Sequence, residues 1–433
     1  MSGKLAINGG APVRTKPFPR WPVCDEKEAE AVREVALSGK WWMGAYSKGE
    51  LEKRDKIEGR SKVEELEEKF AKHHKARYAV ATSSGSSALE IAVRAAGIGP
   101  GDEVITTPYT FIATSTCILN NNAIPVYVDI DPETYNINAD LIEEAITERT
   151  KAILPVHFSG NLADMDKICA IAEKHGLVVI EDASHAHGVE RDGEKYAGTF
   201  GQMGCFSFQE AKNMAAGEGG MILTDDPELE DICYSLHHYG RVRDGLWYEH
   251  HRLGWNARMT EFQAAILLVQ LERLDKLNRV RMENVKYLKS RLDSIPGIKY
   301  CKDDPRITKH SHHLFMMRYD SEEFDGVHRN KFVDALNAEG IPAITGYTFP
   351  NYANPFMVNK VFHSGSCPAS CEKYSSVTID YRVYKDKCPV AERACYEEAI
   401  WLEHRLFLGT KADMDDIVEA ILKIRENLGE LAR

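Results

Sequence analysis

Cys205-Phe206-Ser207-Phe208-Gln209-Glu210-Ala211-Lys212-Asn213 breaks from an apolar run into a polar turn. It then continues through Gly217-Glu218-Gly219-Gly220 into Met221-Ile222-Leu223-Thr224. The turn presents one lysine among small residues, between two runs of strand length. An amine so placed reaches into a cleft instead of out to solvent. With its pKa lowered by burial or by cationic neighbours, such an amine forms Schiff bases with carbonyl compounds, pyridoxal phosphate (PLP) among them. Most lysines are solvated surface charges, so the rest of the chain has to decide the reading.

Upstream, short apolar runs alternate with helical stretches. Tyr78-Ala79-Val80-Ala81 precedes a helix over about Ser87 to Ala96, and Glu103-Val104-Ile105 one over about Ile112 to Leu119. Pro125-Val126-Tyr127-Val128, Ala152-Ile153-Leu154 and Leu177-Val178-Val179-Ile180 continue the series, with helices around Leu141 and from Met165 to His175. This alternation predicts an α/β fold around a mostly parallel sheet covered on both faces. Ligands in such folds bind at the carboxyl ends of the strands. Downstream, a long helix is predicted over Thr260 to Leu292, apolar at Phe262, Ile266, Val269, Leu271, Leu274 and Leu277. A strand over Leu314 to Tyr319, a helix over Arg329 to Glu339 closed by Gly340, and a helix over about Asp413 to Leu428 follow. We divide the chain into an N-terminal arm and helix (1–45), a charged insertion (46–62), a large domain (63–279) and a smaller α+β domain (280–433). Trp21, Trp41 and Trp42 suggest that the arm packs on something.

With 433 residues, 43% hydrophobic and 28% charged, the chain reads as an ordinary globular protein. Its net charge of −12 argues against nucleic acid as a partner. No apolar run approaches a membrane span or a signal peptide, so no membrane partner and a cytoplasmic location are the expectations. Cys117, Cys169, Cys205 and Cys233 read as small buried hydrophobes. Cys367, Cys371, Cys388 and Cys395 lack paired zinc-site spacing, and no metal is expected.

Three strand ends carry chemistry. Ser83-Ser84-Gly85-Ser86-Ser87 stands between a strand and a helix N-terminus, where backbone N–H groups and hydroxyls suit a phosphate; a plain N-cap is the alternative. Neither G-x-x-x-x-G-K-[ST] nor G-x-G-x-x-G is present there. Glu181-Asp182-Ala183-Ser184-His185-Ala186-His187-Gly188 follows an apolar strand. Asp182 could hold a protonated ring nitrogen or cap a helix, His185 could touch a ring oxygen, and His187 reads as structural. In Pro108-Tyr109-Thr110-Phe111 an aromatic could stack on a planar group or fill the core.

These pieces come in the order used by PLP fold type I enzymes, and the chain resembles the DegT–StrS group of sugar aminotransferases. The matching residues are Ser84-Gly85-Ser86, Pro-Tyr-Thr-Phe at 108–111, Glu-Asp-Ala-Ser-His-Ala-His-Gly at 181–188 and Ser-Phe-Gln-Glu-Ala-Lys-Asn at 207–213. Gly-Glu-Gly-Gly at 217–220 and Gly-Trp-Asn-Ala-Arg-Met-Thr-Glu at 254–261 extend the match. The resemblance implies a large domain with a seven-stranded, mostly parallel sheet and a smaller C-terminal domain. It makes Lys212 the Schiff-base lysine, pairs Asp182 with the pyridine nitrogen and sets His185 near the ring hydroxyl. Phe111, or alternatively Tyr109, would stack on the ring, while Gly85, Ser86 and Ser207 would hold the phosphate. Asn256 would reach the phosphate of a neighbouring subunit, which implies a homodimer with shared active sites.

Asn8-Gly9-Gly10-Ala11-Pro12-Val13-Arg14, Ser38-Gly39-Lys40-Trp41-Trp42 and Trp401-Leu402-Glu403-His404-Arg405-Leu406-Phe407-Leu408-Gly409 look closest to enzymes that aminate inosose-type cyclitols, near 3-amino-5-hydroxybenzoate synthases. The implied reaction moves an amino group from glutamine or glutamate to a keto-sugar or keto-cyclitol. His238, Tyr239, Arg241, Tyr347 and His404 are candidates for substrate contact, each with a structural alternative. The insertion at 48–60 and the cysteine-bearing stretch at 363–390 depart from the family pattern, which leaves the acceptor open between a cyclitol, a sugar phosphate and a nucleotide sugar. A dehydratase of this group would carry His in place of Lys212. An aromatising amino-ring synthase would keep the lysine, and a non-catalytic sensor on this fold would be expected to lose Lys212 or Asp182.

Overall fold

The computed structural model describes residues 3–45, 60–243, 245–246, 248–362 and 379–431. Most of the 48–60 insertion, and Cys367 and Cys371, therefore lie outside the described residues.

Seven strands form the main sheet: β1 (Tyr78–Thr82), β2 (Glu103–Thr106), β3 (Ile124–Tyr127), β4 (Thr150–Leu154), β5 (Val178–Asp182), β6 (Met203–Ser207) and β7 (Gly220–Thr224). Their order is β1-β7-β6-β5-β4-β2-β3. Strands β6, β5, β4, β2 and β3 pair in parallel, whereas β7 runs antiparallel to both its neighbours. This is the mostly parallel α/β sheet expected from the alternating pattern, with helices on both faces.

Side-chain alternation sorts the core into layers. Val80, Val104, Ile180, Cys205 and Ile222 face the helices α3 (Gly85–Ala95) and α4 (Ala113–Asn120). Ala79, Ala81, Phe206, Met221 and Leu223 face α2 (Lys62–His73) and the first half of α7 (Glu261–Leu292). Ile105, Ile153 and Val179 pack on α5 (Met165–His175). The helix α1 (Glu26–Ser38) begins at the Asp25 cap, and α6 (Pro227–His237) follows β7.

Beyond α7, strands Ile298–Tyr300, Leu314–Tyr319 and Ala399–Glu403 make a second, antiparallel sheet. It shares a core with α8 (Arg329–Ala338) and the C-terminal helix Lys411–Glu426. The N-terminal arm joins that core through Leu5 and Phe18. The Glu339 carboxylate accepts from the amides of Ala6 and Val13 at 2.9 and 3.0 Å, and Arg14 pairs with Asp413 at 2.7 Å.

Two expectations change. The segment around Leu141 forms two short 3₁₀ turns, Ala139–Leu141 and Glu143–Ala145, instead of a helix. Only Ala139 and Ile142 of it are buried, too few to anchor an amphipathic face, and Ile146 is already extended. On α7 the buried side is not the six apolar positions named above: Leu274 alone of them is fully buried. The inward face carries Ala264, Ala265, Leu267 and Leu268, then the polar Asn278 and Arg281.

Candidate active site

A cavity of about 420 Å³ opens at the carboxyl ends of the main strands. Ser84, Gly85, Ser86, Thr110, Phe111, Asp182, Ser184, His185, Ser207, Gln209, Lys212 and Glu218 contribute to its lining. The three strand-end motifs and the lysine turn thus meet in one place.

One end of the cavity is the start of α3. Ser84 caps it, its hydroxyl accepting from the Ser87 amide at 3.1 Å, so the Gly85 and Ser86 amides of the first turn have no partner within the helix. Gly85 allows that turn to lie against β6: a Cβ there would sit 2.5 Å from Ser207 Cβ.

At the end of β5, Asp182 is buried. Its Oδ2 accepts from the Thr114 hydroxyl at 2.9 Å, and Oδ1 accepts from the Ser184 amide at 3.2 Å. The hydroxyls of Thr110 and Thr114 lie 3.0 Å apart, and because Thr114 donates to Asp182, Thr110 donates to Thr114. Glu181, one residue earlier, points the opposite way. It accepts from the amides of Gly198, Phe200 and Gly201 and lies 2.7 Å from His157 Nε2, which fixes the far side of the strand end.

His185 is buried and its Nδ1 has no partner; its ring stacks on His313 at 4.1 Å. Burial, with the Lys212 amine nearby, keeps His185 neutral by pulling its pKa well below the ordinary value. His187 is structural, as expected: Nε2 donates to the Ser207 carbonyl at 2.8 Å, and burial pulls its pKa to about 3.

Lys212 is half-buried and its amine makes no hydrogen bond or ion pair with any described residue. Burial lowers its pKa to about 8, against the opposing pull of Asp182. Its turn is tied down at the backbone, where the Lys212 amide donates to the Gln209 carbonyl at 2.8 Å. The Asn213 side chain donates to the Ser311 carbonyl at 2.7 Å and accepts from His313 Nδ1 at 2.9 Å.

Other candidates fall elsewhere. Tyr109 is fully buried behind the cavity, its hydroxyl accepting from Trp401 Nε1 at 3.1 Å, so among the described residues only Phe111 of the pair faces the space; Phe111 is 59% exposed. Tyr347 is half-buried and packs edge-on against Trp401 and Tyr109. His404 is buried with both ring nitrogens engaged, by Arg281 and by the Ala211 carbonyl. His238 and Asn256 form a β-bridge beside the α3 cap, with Tyr239 and Arg241 following; none of the four contributes to the cavity lining. Thr110, Thr114 and Ser184 were not singled out. Their signal is the spacing of two threonines one helical turn apart, just after a strand end. Cys388 and Cys395 are buried free thiols.

An isolated amine and a carboxylate at adjacent strand ends, facing a helix N-terminus on this sheet, suit a ligand that carries both a carbonyl and a phosphate. The chain belongs to the DegT/DnrJ/EryC1/StrS aminotransferase family, whose model matches residues 22–386. It is 39% identical, over all of both chains, to a protein of Streptoalloteichus tenebrarius provisionally named L-glutamine:3-amino-2,3-dideoxy-scyllo-inosose aminotransferase. It is 34% identical to the L-glutamine:2-deoxy-scyllo-inosose aminotransferase of Streptomyces kanamyceticus, over 100% of this chain and 99% of that one. Among solved structures, a 3-amino-5-hydroxybenzoic acid synthase is similar with a TM-score of 0.80 and 33% identity, covering 94% of this chain and 98% of the other.

Proposed function

We propose that this aminotransferase uses pyridoxal 5′-phosphate to move an amino group from glutamine, or glutamate, to a keto-cyclitol of the scyllo-inosose type. The observation that carries the reading is the unpaired Lys212 amine in one cavity with Asp182 and the open start of α3. The relatives named for glutamine and scyllo-inosose substrates support the choice of donor and acceptor. The residues fit the cofactor: the first-turn amides of α3 and the Ser207 hydroxyl suit a phosphate, and Gly85 has no room for a side chain.

Bound there, PLP would supply a carbonyl for the amino group and an electron sink for the donor's α-carbon. Asp182, held by Thr114 and the Ser184 amide, would keep the pyridine nitrogen protonated. His185 would sit near the ring hydroxyl and Phe111 against the ring face. A Lys212 amine with a pKa of about 8 is neutral often enough near neutral pH to act as a nucleophile toward a carbonyl held in the cavity. Lys212 Nζ would also hold and move the proton of the donor's α-carbon, a general acid–base role typically worth about 10²–10⁴-fold.

The reading includes a homodimer. Phe111, Trp41, Trp42, Tyr239, Tyr248 and Leu253 are large apolar side chains left exposed, and Asn256 is exposed among them in sequence. A second copy would cover that surface and bring Asn256 to the partner's phosphate site. No helix among the described residues is long and apolar enough to cross a membrane. The buried free thiols suit the reducing cytoplasm.

The test is spectroscopic. PLP-loaded protein should show a visible-edge absorption band that glutamine or glutamate discharges and scyllo-inosose restores, with an amino-cyclitol as product. A band that no amino donor changes would refute the aminotransferase reaction. Discharge by the donor without recovery on any keto-cyclitol would refute the acceptor and favour an amino-ring synthase or a nucleotide sugar.

A further inference from the structure

Arg281, on the inward face of α7, heads the largest fully buried side chains. Among the described residues no carboxylate pairs with it. One guanidinium nitrogen donates to Asn278 Oδ1 at 2.9 Å and the other to His404 Nδ1 at 3.1 Å, and the group lies 5.1 Å from the Trp21 ring centroid. Burial pulls its pKa down to about 9, still high enough to keep the charge at neutral pH. A cation held in the interior without a counter-ion opposes folding, so its retention calls for a compensating role.

That role follows from its acceptor. Because His404 accepts at Nδ1, its own proton resides on Nε2, and Nε2 donates to the Ala211 carbonyl at 3.0 Å. Burial, together with the Arg281 charge, holds the ring neutral, which keeps Nδ1 an acceptor. The preceding carbonyl, of Glu210, accepts from Trp21 Nε1 at 2.8 Å, and the Trp21 ring meets His404 edge-on at 4.5 Å. Two successive peptide oxygens immediately before Lys212 are therefore gripped by groups from the N-terminal arm and from the segment after strand Ala399–Glu403, the second of them held in turn by Arg281 of α7.

We propose that Arg281, acting through the tautomer of His404, is a positioning residue that holds the Lys212 amine in its desolvated setting. The inference rests on Lys212 being the reactive amine. The titratable groups facing that amine are Asp182, His185, His187, His313 and His404. If the grip on Ala211 loosens, the turn can carry the amine toward water, its pKa rises, and less of it is neutral at a given pH.

The test reads the amine directly. The full chain, freed of any bound carbonyl compound, is labelled with limiting trinitrobenzenesulfonate across a pH series, and Lys212 is followed by peptide mass spectrometry. Wild type should show a midpoint near 8. His404→Ala and Arg281→Met should move it upward by about one unit, slowing labelling about tenfold below the midpoint. His404→Gln, whose amide can still donate to Ala211, should stay within about twofold of wild type. His404→Asn should behave like His404→Ala, because it keeps an acceptor for Arg281 and loses the reach to Ala211. Circular dichroism confirms which variants fold. If His404→Ala and Arg281→Met do not, the Gln and Asn pair decides. Unshifted midpoints in folded variants, or a Gln variant shifted as far as the Asn variant, would overturn the proposal. The readout needs neither PLP nor an amino donor. A wild-type midpoint near 8 without a donor-driven spectral change would sink the aminotransferase reading and leave this one standing.

Discussion

The cavity has two sides built in opposite ways. Its floor consists of strand ends and the turn after each: Asp182 after β5, Gly85 after β1, Lys212 after β6. Each residue is placed by its immediate sequence neighbours. The clasp behind the lysine consists of Trp21, Arg281, Ser311, His313 and His404, which come from four distant parts of the chain and act almost wholly on backbone carbonyls or on Asn213. The floor offers functional groups to a ligand, and the clasp fixes where they stand. Changes to the floor's reactive side chain, Lys212, should therefore remove chemistry while sparing stability, whereas changes to the clasp should act through geometry and pH.

The contrast is broken most simply at Lys212. Lys212→Ala should lower amine transfer by at least about 10²–10⁴-fold with no loss of thermal stability, since the side chain has no partner to lose. A destabilised Lys212→Ala protein would show that the lysine belongs to the clasp as well. Thr114→Val comes next. It removes the hydroxyl that donates to Asp182, and turnover should fall about tenfold, with Thr114→Ser restoring it. Equal turnover in Val and Ser variants would mean that Asp182 is oriented without the hydroxyl.

Gly85→Ala drives a methyl group to 2.5 Å from Ser207 Cβ. It should reduce stability by about 1–3 kcal/mol and weaken PLP binding, both measurable by a denaturant titration with and without the cofactor. The smallest effect at neutral pH belongs to the clasp. Eight histidines among the described residues, His185, His187, His313 and His404 included, have lowered pKa values in the fold. The unfolded chain takes up these protons near the ordinary value of about 6.5, so stability is whole above that pH and is lost as the pH falls below it. Melting temperatures should decline steadily as the pH falls below about 6.5. A flat profile into the acid range would mean that the histidines open to water without unfolding the chain.

The same contrast explains what could be read from the sequence. Strands β1, β2, β5 and β6 were legible because each is a short apolar run ending in polar residues, and strands that run in one direction bring those ends together whatever the details of the loops. Lys212, Asp182 and the Ser84-Gly85-Ser86 cap stand out as candidates by position, and the resemblance to the DegT–StrS group supplies the role expected of each. The clasp does not stand out. Arg281 and Asn278 are polar, so periodicity assigns them to solvent, yet both lie on the buried face of α7. His404 stays open between substrate contact and a structural role in the sequence because nothing local reveals that Arg281 and Ala211 occupy its two nitrogens. Tyr109 and Phe111 stand two residues apart with nothing to tell them apart until Trp401, nearly three hundred residues later, engages the tyrosine. The helix expected around Leu141 failed for a related reason, since its few apolar residues could not show how little of it is covered.

The antiparallel strand β7 has a consequence for the birth of the protein. In the sheet β1 touches only β7, with Tyr78 opposite Thr224, so an early segment waits at the ribosome for a much later one before it can dock. Lys212 arrives in the loop that immediately precedes this late partner, and His404 is made later still. A nascent or prematurely terminated chain would thus carry the lysine as an ordinary solvated ammonium. Its reactivity toward aldehydes in the cell would be switched on only after His404 has been made.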